Sequence, residues 1–192
     1  MNRKKAEEKS ELINDRGKSD ARNERGDQKT SLKAAIMSLW NFWPPFLGSG
    51  IVIEKVEGGY GRDGWKAIDI KLKLRFWNSN YVGTQFGGSL FAMTDPFLMV
   101  MLVRRLGREY IVWDKSSSIR FRRPGTSDCR AHFAITDAEL VAIKARADIE
   151  GQFDWHRKIE IRDIDQKVVA EVDKVLFIAT RDHYLKGKKK SD

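Results

Sequence analysis

The chain has 192 residues, with 36 Lys/Arg against 27 Asp/Glu and a formal net charge of +9, a length that fits one domain with an ordinary core and leaves no room for a second catalytic domain. Its single cysteine, Cys129, excludes an intramolecular disulfide and every multi-cysteine metal site, and suits a reducing compartment, so the cytoplasm is the expected location. Residues 1–33 and 181–192 supply six of the nine net charges, so the body between them is only mildly cationic and no specific nucleic-acid partner is expected.

Residues 1–30 mix Lys, Arg, Glu, Asp and Asn with almost nothing to bury, which predicts a disordered charged extension without the apolar core of a signal peptide. Residues 31–180 are expected to form a single domain. SLKAAIMSLWNFW, 31–43, reads as a short amphipathic helix covering one edge of that domain, with Ser31 as cap and Pro44-Pro45 as its stop. Ile51 to Val56 is a strand. After a Gly-rich turn, KAIDIKLKLRFW alternates, with Ile68, Ile70, Leu72, Leu74 and Phe76 on one face and Asp69, Lys71, Lys73 and Arg75 on the other.

From Gly88 to Leu106 the chain is apolar nearly all round, as in a helix enclosed by other structure, and Gly107 ends it. The longest apolar run, Ser89 to Val103, is interrupted by Asp95 and Pro96, and a bilayer span needs about 20 largely apolar residues, so no membrane span is expected. Pro96 predicts a kink and a free acceptor at the Ala92 carbonyl. Tyr110 to Arg122 and Arg130 to Ile135 read as strands, and Asp137 to Ile149 as a small helix capped by Asp137. Trp155 to Arg162 and Val168 to Ala179 read as a hairpin about the turn 163–167, and residues 181–192 as a basic tail.

The stretch NYVGTQFGGSLFAMTD, Asn80 to Asp95, places a polar turn, a glycine pair and one carboxylate at the head of the apolar helix. Helix N-termini carry unpaired N–H groups and partial positive charge, and Gly87 and Gly88 have no side chain to keep a ligand oxygen away, so the outline is an anion or carbonyl hole.

That pattern, N-x-x-G-x-x-F-G-G-x-x-x-x-M-x-D, resembles the hot-dog fold thioesterases of phenylacetate-degradation type, and FRRPG, Phe121 to Gly125, is similar to the strand end of that family. NFWPPF and VWDK look closest to an uncharacterised domain-of-unknown-function branch of the superfamily. The resemblance covers roughly Ile51 to Ala179 and implies an α+β architecture, a curved antiparallel sheet wrapped around one long central helix, acting on acyl-CoA thioesters as a homodimer or dimer of dimers. It gives Asn80 a role in holding the attacking water or the substrate, Gly87 the N–H that polarises the thioester carbonyl, and Asp95 that of general base or nucleophile. No metal and no cofactor are implied beyond the coenzyme A of the substrate. Gly87 and Asp95 are eight residues apart, about 12 Å and about 80 degrees of turn along one helix, so one carbonyl cannot touch both. If both act, Asp95 comes from a second copy, and the site lies across a two-fold interface.

Phe86 stands where the family usually has His, which makes the entrance more apolar and leaves two readings open, longer acyl chains or a retired site that only binds. Asp114 falls near the position where related thioesterases place a Ser or Thr facing substrate, although a one-residue slip exchanges it for Lys115. Alternation puts Asp114, Ser116 and Ser118 on one face. Arg120, Arg122 and Arg123 read either as a solvated sheet face or as the contact for the phosphates of coenzyme A. His132, His156 and His183 fall singly, without the spacing of a metal site, and no G-x-S-x-G nucleophile elbow is present.

Overall fold

The computed structural model describes residues 39–59 and 64–188. The expected charged extension, the first part of the helix 31–43 and the last four residues lie outside them. The elements in order are α1 (Pro44–Ser49), β1 (Ile51–Gly58), β2 (Trp65–Leu72), α2 (Gly87–Ala92), α3 (Phe97–Leu106), β3 (Tyr110–Phe121), β4 (Cys129–Ala134), α4 (Asp137–Glu150), β5 (Gln152–Arg162), β6 (Val168–Thr180) and α5 (Arg181–Lys188). All six strands form one antiparallel sheet in the order β1-β2-β4-β5-β6-β3, which leaves β1 and β3 at its edges.

One face of this sheet is apolar because the strands alternate. Ile68, Ile70 and Leu72 of β2, Ala131 and Phe133 of β4, Ile159 and Ile161 of β5, and Val172, Leu176 and Ile178 of β6 are all buried. The central helix is buried with them. Its apolar residues Leu90, Met93, Phe97, Leu98, Met101 and Leu102 are closed off from solvent, and the Phe97 ring sits 5.6 Å from Phe46 and 5.3 Å from Phe133. Burial of each such side chain contributes roughly 1.5 to 3 kcal/mol, so the helix-in-sheet contact stabilises the domain substantially.

Several local features differ from the sequence reading. The helix whose described part is residues 39–41 ends before the proline pair as expected, but Pro44 and Pro45 also open a further helix, because proline at the first helical position forfeits only an N–H that has no partner there in any case. β2 ends at Leu72, so Leu74 and Phe76 do not continue it, and Phe76 is exposed. The chain is turned there by side chains: Asn78 Oδ1 accepts from Arg75 N at 2.7 Å, Asn78 Nδ2 donates to the carbonyls of Lys73 and Ser49 at 2.7 Å, and Asp128 Oδ1 accepts from Leu74 N at 2.9 Å. Helix α4 is capped by Thr136 through a capping box with Glu139, leaving Asp137 to bind Lys66 and the buried Arg105. Residues 181–188, the start of the expected basic tail, are helical, and Tyr184 packs 5.5 Å from Trp113.

The expected kink at Pro96 is a full interruption. α2 stops at Ala92, the chain turns through Met93–Pro96 with a cis Asp95–Pro96 peptide bond, and α3 resumes at Phe97. The Ala92 carbonyl does not stay free, since it accepts from Asp95 N at 3.1 Å.

Candidate functional site

The turn before α2 is held by its own side chains. Asn80 Oδ1 accepts from the backbone N–H groups of Val82 and Thr84 at 3.1 and 3.0 Å, and its Nδ2 donates to Thr84 Oγ1 at 2.8 Å. This is an Asx-type turn, and it engages the Asn80 amide inside the loop. Gln85, which is buried, ties the loop to the sheet by donating to the carbonyls of Leu72 and Ser127 at 3.2 and 3.0 Å.

Neither Gly87 nor Gly88 needs a left-handed backbone, yet both are crowded by aromatic rings. A Cβ at Gly88 would lie 2.4 Å from Phe86 Cε1, and one at Gly87 would lie 3.0 Å from Phe121 Cζ. The two rings are largely exposed, at 54% for Phe86 and 56% for Phe121, and they form an apolar collar around the start of α2.

Asp95 lies in the interruption between α2 and α3, with its side chain 64% exposed. It borders a cleft of about 350 Å³ lined by Gly88, Phe91, Thr94, Asp114, Ser116, Ser117 and Lys174, among others. The cleft therefore brings together Asp95, Gly88, Asp114 and Ser116 of the residues singled out in the sequence. Asn80, Gly87 and Phe86 stand at the head of α2, and Arg120, Arg122 and Arg123 do not line the cleft. Arg120 binds Asp173 at 2.7 Å and Arg122 binds Glu171 at 2.8 Å, so two of the three guanidiniums already have carboxylate partners on the open sheet face.

The register of β3 resolves which residue meets Asp95. Asp114 pairs with Leu176 and Ser116 with Val175, so a bulge at Lys115 breaks the expected alternation. Asp114 turns inward, followed by Ser117 on the less exposed row, while Ser116 and Ser118 are exposed. Lys115 reaches Asp154 instead, at 2.7 Å.

Lys174, which the motif does not contain, is the residue around which the cleft is organised. Its side chain is only 2% exposed. Nζ stands 3.0 Å from Asp114 Oδ1, 3.4 Å from Asp95 Oδ1 and 3.3 Å from the Thr94 carbonyl oxygen. The contact with Asp114 is an ion pair whose angles do not make a hydrogen bond, and Asp114 Oδ1 is buried with no aligned donor. Burial pushes the Asp114 carboxyl above its ordinary 3.8. Lys174 opposes that rise, and the neighbouring Asp95 adds to it. The signal for Lys174 was present in the sequence: in VVAEVDKVLFIA it occupies the row of Val172, Leu176 and Ile178, where a buried strand face calls for an apolar residue.

A larger groove of about 760 Å³ runs over the open sheet face. Its charges largely satisfy one another, with Arg130 on Glu54 at 2.8 Å and His132 Nδ1 2.6 Å from Asp69, and it holds no carboxylate beside a buried cation. Among the described residues, no three of His, Cys, Asp and Glu gather closely enough to hold a metal ion, and no helix is long and apolar enough to cross a membrane.

Residues 32–178 match the family model for a domain of unknown function, DUF4442. No curated protein matches the sequence. Among solved structures, a Pseudomonas aeruginosa protein of unknown function, described as a probable thioesterase, is 17% identical with a TM-score of 0.67, covering 78% of this chain and 96% of its own. A putative thioesterase from Shewanella oneidensis is 18% identical with a TM-score of 0.54, covering 79% of this chain and 99% of its own. A thioesterase from Haemophilus influenzae is 14% identical with a TM-score of 0.52, covering 76% and 88%. Likeness at these identities establishes the shared hot-dog fold.

Proposed function

The chain belongs to the DUF4442 family, and from its hot-dog fold and the Asp95 cleft we propose that it hydrolyses acyl thioesters, with acyl-CoA as the substrate class, at sites shared between two copies of the chain. The observation that carries this reading is an exposed carboxylate, Asp95, held against a buried ammonium, that of Lys174, in a cleft that also presents Asp114, Ser116 and Ser117 beside Phe91 and Ala92. A carboxylate so placed accepts a proton from water attacking the carbonyl, or attacks directly. When water attacks, the C–S bond breaks, the acyl group leaves as a carboxylic acid and the thiolate takes up the proton; when Asp95 attacks, the C–S bond breaks to leave an acyl–Asp95 anhydride, which water then hydrolyses to the carboxylic acid and free Asp95. A backbone N–H at the start of α2, that of Gly87, supplies the donor for the developing oxyanion; loss of one such donor costs on the order of 100- to 1000-fold in rate.

Gly87 stands at the head of α2 and does not line the cleft that Asp95 borders, so each carbonyl is taken to receive its donor from one copy and its carboxylate from the other. Two features support a two-fold partner. β3, twelve residues long, is an edge strand that supplies Asp114, Ser116 and Ser117 to the cleft, and a long open edge invites pairing with another chain. The exposed collar of Phe86 and Phe121 lies at the head of α2, where a second copy or an acyl chain finds apolar surface.

One observation favours a second reading. The amide of Asn80 is committed to its own turn, and Phe86 adds no polar contact, as expected of a module that binds an acyl thioester without cleaving it. Turnover separates the two. Purified protein assayed against acyl-CoAs of several chain lengths should release free thiol, and Asp95→Asn should abolish release while keeping acyl-CoA binding. Binding without release by the wild type would establish the non-catalytic module.

A further inference from the structure

Three local irregularities meet at one nitrogen atom. The interruption of the central helix turns the Thr94 carbonyl and the Asp95 side chain toward β6, the bulge at Lys115 turns Asp114 inward, and Lys174 takes an apolar position on β6 to meet all three. Each irregularity carries a cost by itself. A break forfeits helical hydrogen bonds, a bulge interrupts a ladder, and a lysine with 2% of its side chain exposed must be desolvated. A buried ion pair is on average no more stabilising than apolar residues of the same volume, so packing does not account for the cluster. Nor is Lys174 needed to hide Asp95, whose side chain is 64% exposed.

The ammonium donates to Thr94 O and Asp95 Oδ1 and stands in ion-pair contact with Asp114 Oδ1. The other charged groups near it are engaged elsewhere. Lys115 is on Asp154, and Arg157, paired with Lys174 across the β5–β6 ladder, binds Glu139 at 2.7 Å and the Ala134 carbonyl at 2.6 Å. Two carboxylates on one cation leave the cluster with one net negative charge, facing the cleft.

We propose that Lys174 is a positioning residue for the reaction of Asp95: anchored on the Thr94 carbonyl, it fixes Oδ1 of Asp95 and leaves Oδ2 to act, while Asp114 serves as the counter-carboxylate that holds the ammonium in place. The inference rests on the reading of Asp95 as the acting group of a hydrolytic site. A displacement of about 1 Å in such a group is worth up to about 100-fold in rate, which sets the scale of the effect.

Lys174→Gln and Lys174→Met test it in the full chain. Both should lower kcat for acyl-CoA hydrolysis by about 10- to 100-fold with KM changed less than about threefold. The acid limb of the pH profile should move up in both, because the cation that opposes the rise of the Asp114 carboxyl is gone. The glutamine variant retains a donor for Thr94 O and reads the effect should the methionine variant fail to fold. Carboxyl carbon NMR supplies a readout independent of turnover: in Lys174→Gln the Asp95 signal should move at neutral pH, and the Asp114 carboxyl should titrate higher than in the wild type. Those NMR changes in a wild type that cleaves no thioester would reject hydrolysis and leave the Asp95–Lys174 contact standing. Wild-type turnover with kcat, pH profile and Asp95 signal all unaltered in Lys174→Gln would overturn the positioning role.

Discussion

Replacing Asp114 by Asn should remove a pH-dependent penalty built into the cleft. Asp114 has a side chain only 25% exposed, and burial holds its carboxyl above its ordinary 3.8 despite the ammonium 3.0 Å away, with Asp95 adding to the rise. A carboxyl raised on folding binds its proton more tightly in the native state than in the unfolded chain. Through the window above about pH 4 the native state therefore carries more protons, and its stability falls as pH rises. Below that window both states are protonated and nothing is lost. Each pH unit of elevation is worth about 1.4 kcal/mol.

Asn keeps the shape but cannot ionise, so the stability of Asp114→Asn minus that of the wild type should grow as pH rises above about pH 4, by about 1.4 kcal/mol for each pH unit of elevation. Carboxylates held low by their partners, such as Glu139, Glu171 and Asp173, give the opposite slope, but they are common to both proteins and cancel in the difference. Urea unfolding at a series of pH values measures it directly. A difference that stays flat or shrinks as pH rises would mean that Lys174 outweighs burial, and the electrostatic description of the cleft would be wrong.

Two further outcomes test the frame around the site. Thr136→Ala removes one half of the capping box on α4, in which Thr136 Oγ1 accepts from Glu139 N at 3.1 Å, and should cost about 1 kcal/mol, or roughly 2 to 4 °C in Tm, with thioester turnover unaltered; a loss beyond about 3 kcal/mol would show that α4 does more than cover the sheet. Cys129 is buried, and that burial, helped by nearby Asp163 and Asp128, pushes its thiol up to about 12, so it should resist thiol reagents near neutral pH until the protein is unfolded. Labelling of the native protein at the rate of a free cysteine would contradict its place in the core.

What the sequence made legible is what depends on period. Ile68, Ile70 and Leu72 announce a sheet with one wet face, the hairpin about residues 163–167 is written in its alternation, and Asp95 stands out because an apolar helix has no use for a carboxylate. What it concealed depends on partners distant in the chain. β2 stops because Asn78 and Asp128 take its next backbone groups, and no local propensity announces that. The bulge at Lys115 is a register event between two strands, so alternation alone put Ser116 beside Asp114 on one face. Lys174 is the instructive omission. It is visible as a lysine in an apolar row, but its partner Asp95 lies 79 residues away, and nothing local to either residue announces that they meet.

The central claim is that the donor and the carboxylate of each site come from different copies of the chain. Mixing Asp95→Asn with Gly87→Val, each inactive alone, and allowing subunits to exchange tests it. Random pairing makes half of the dimers mixed, each with one intact site of two, so the mixture should recover about one quarter of wild-type turnover. A mixture that forms mixed dimers and stays inactive would contradict the shared site.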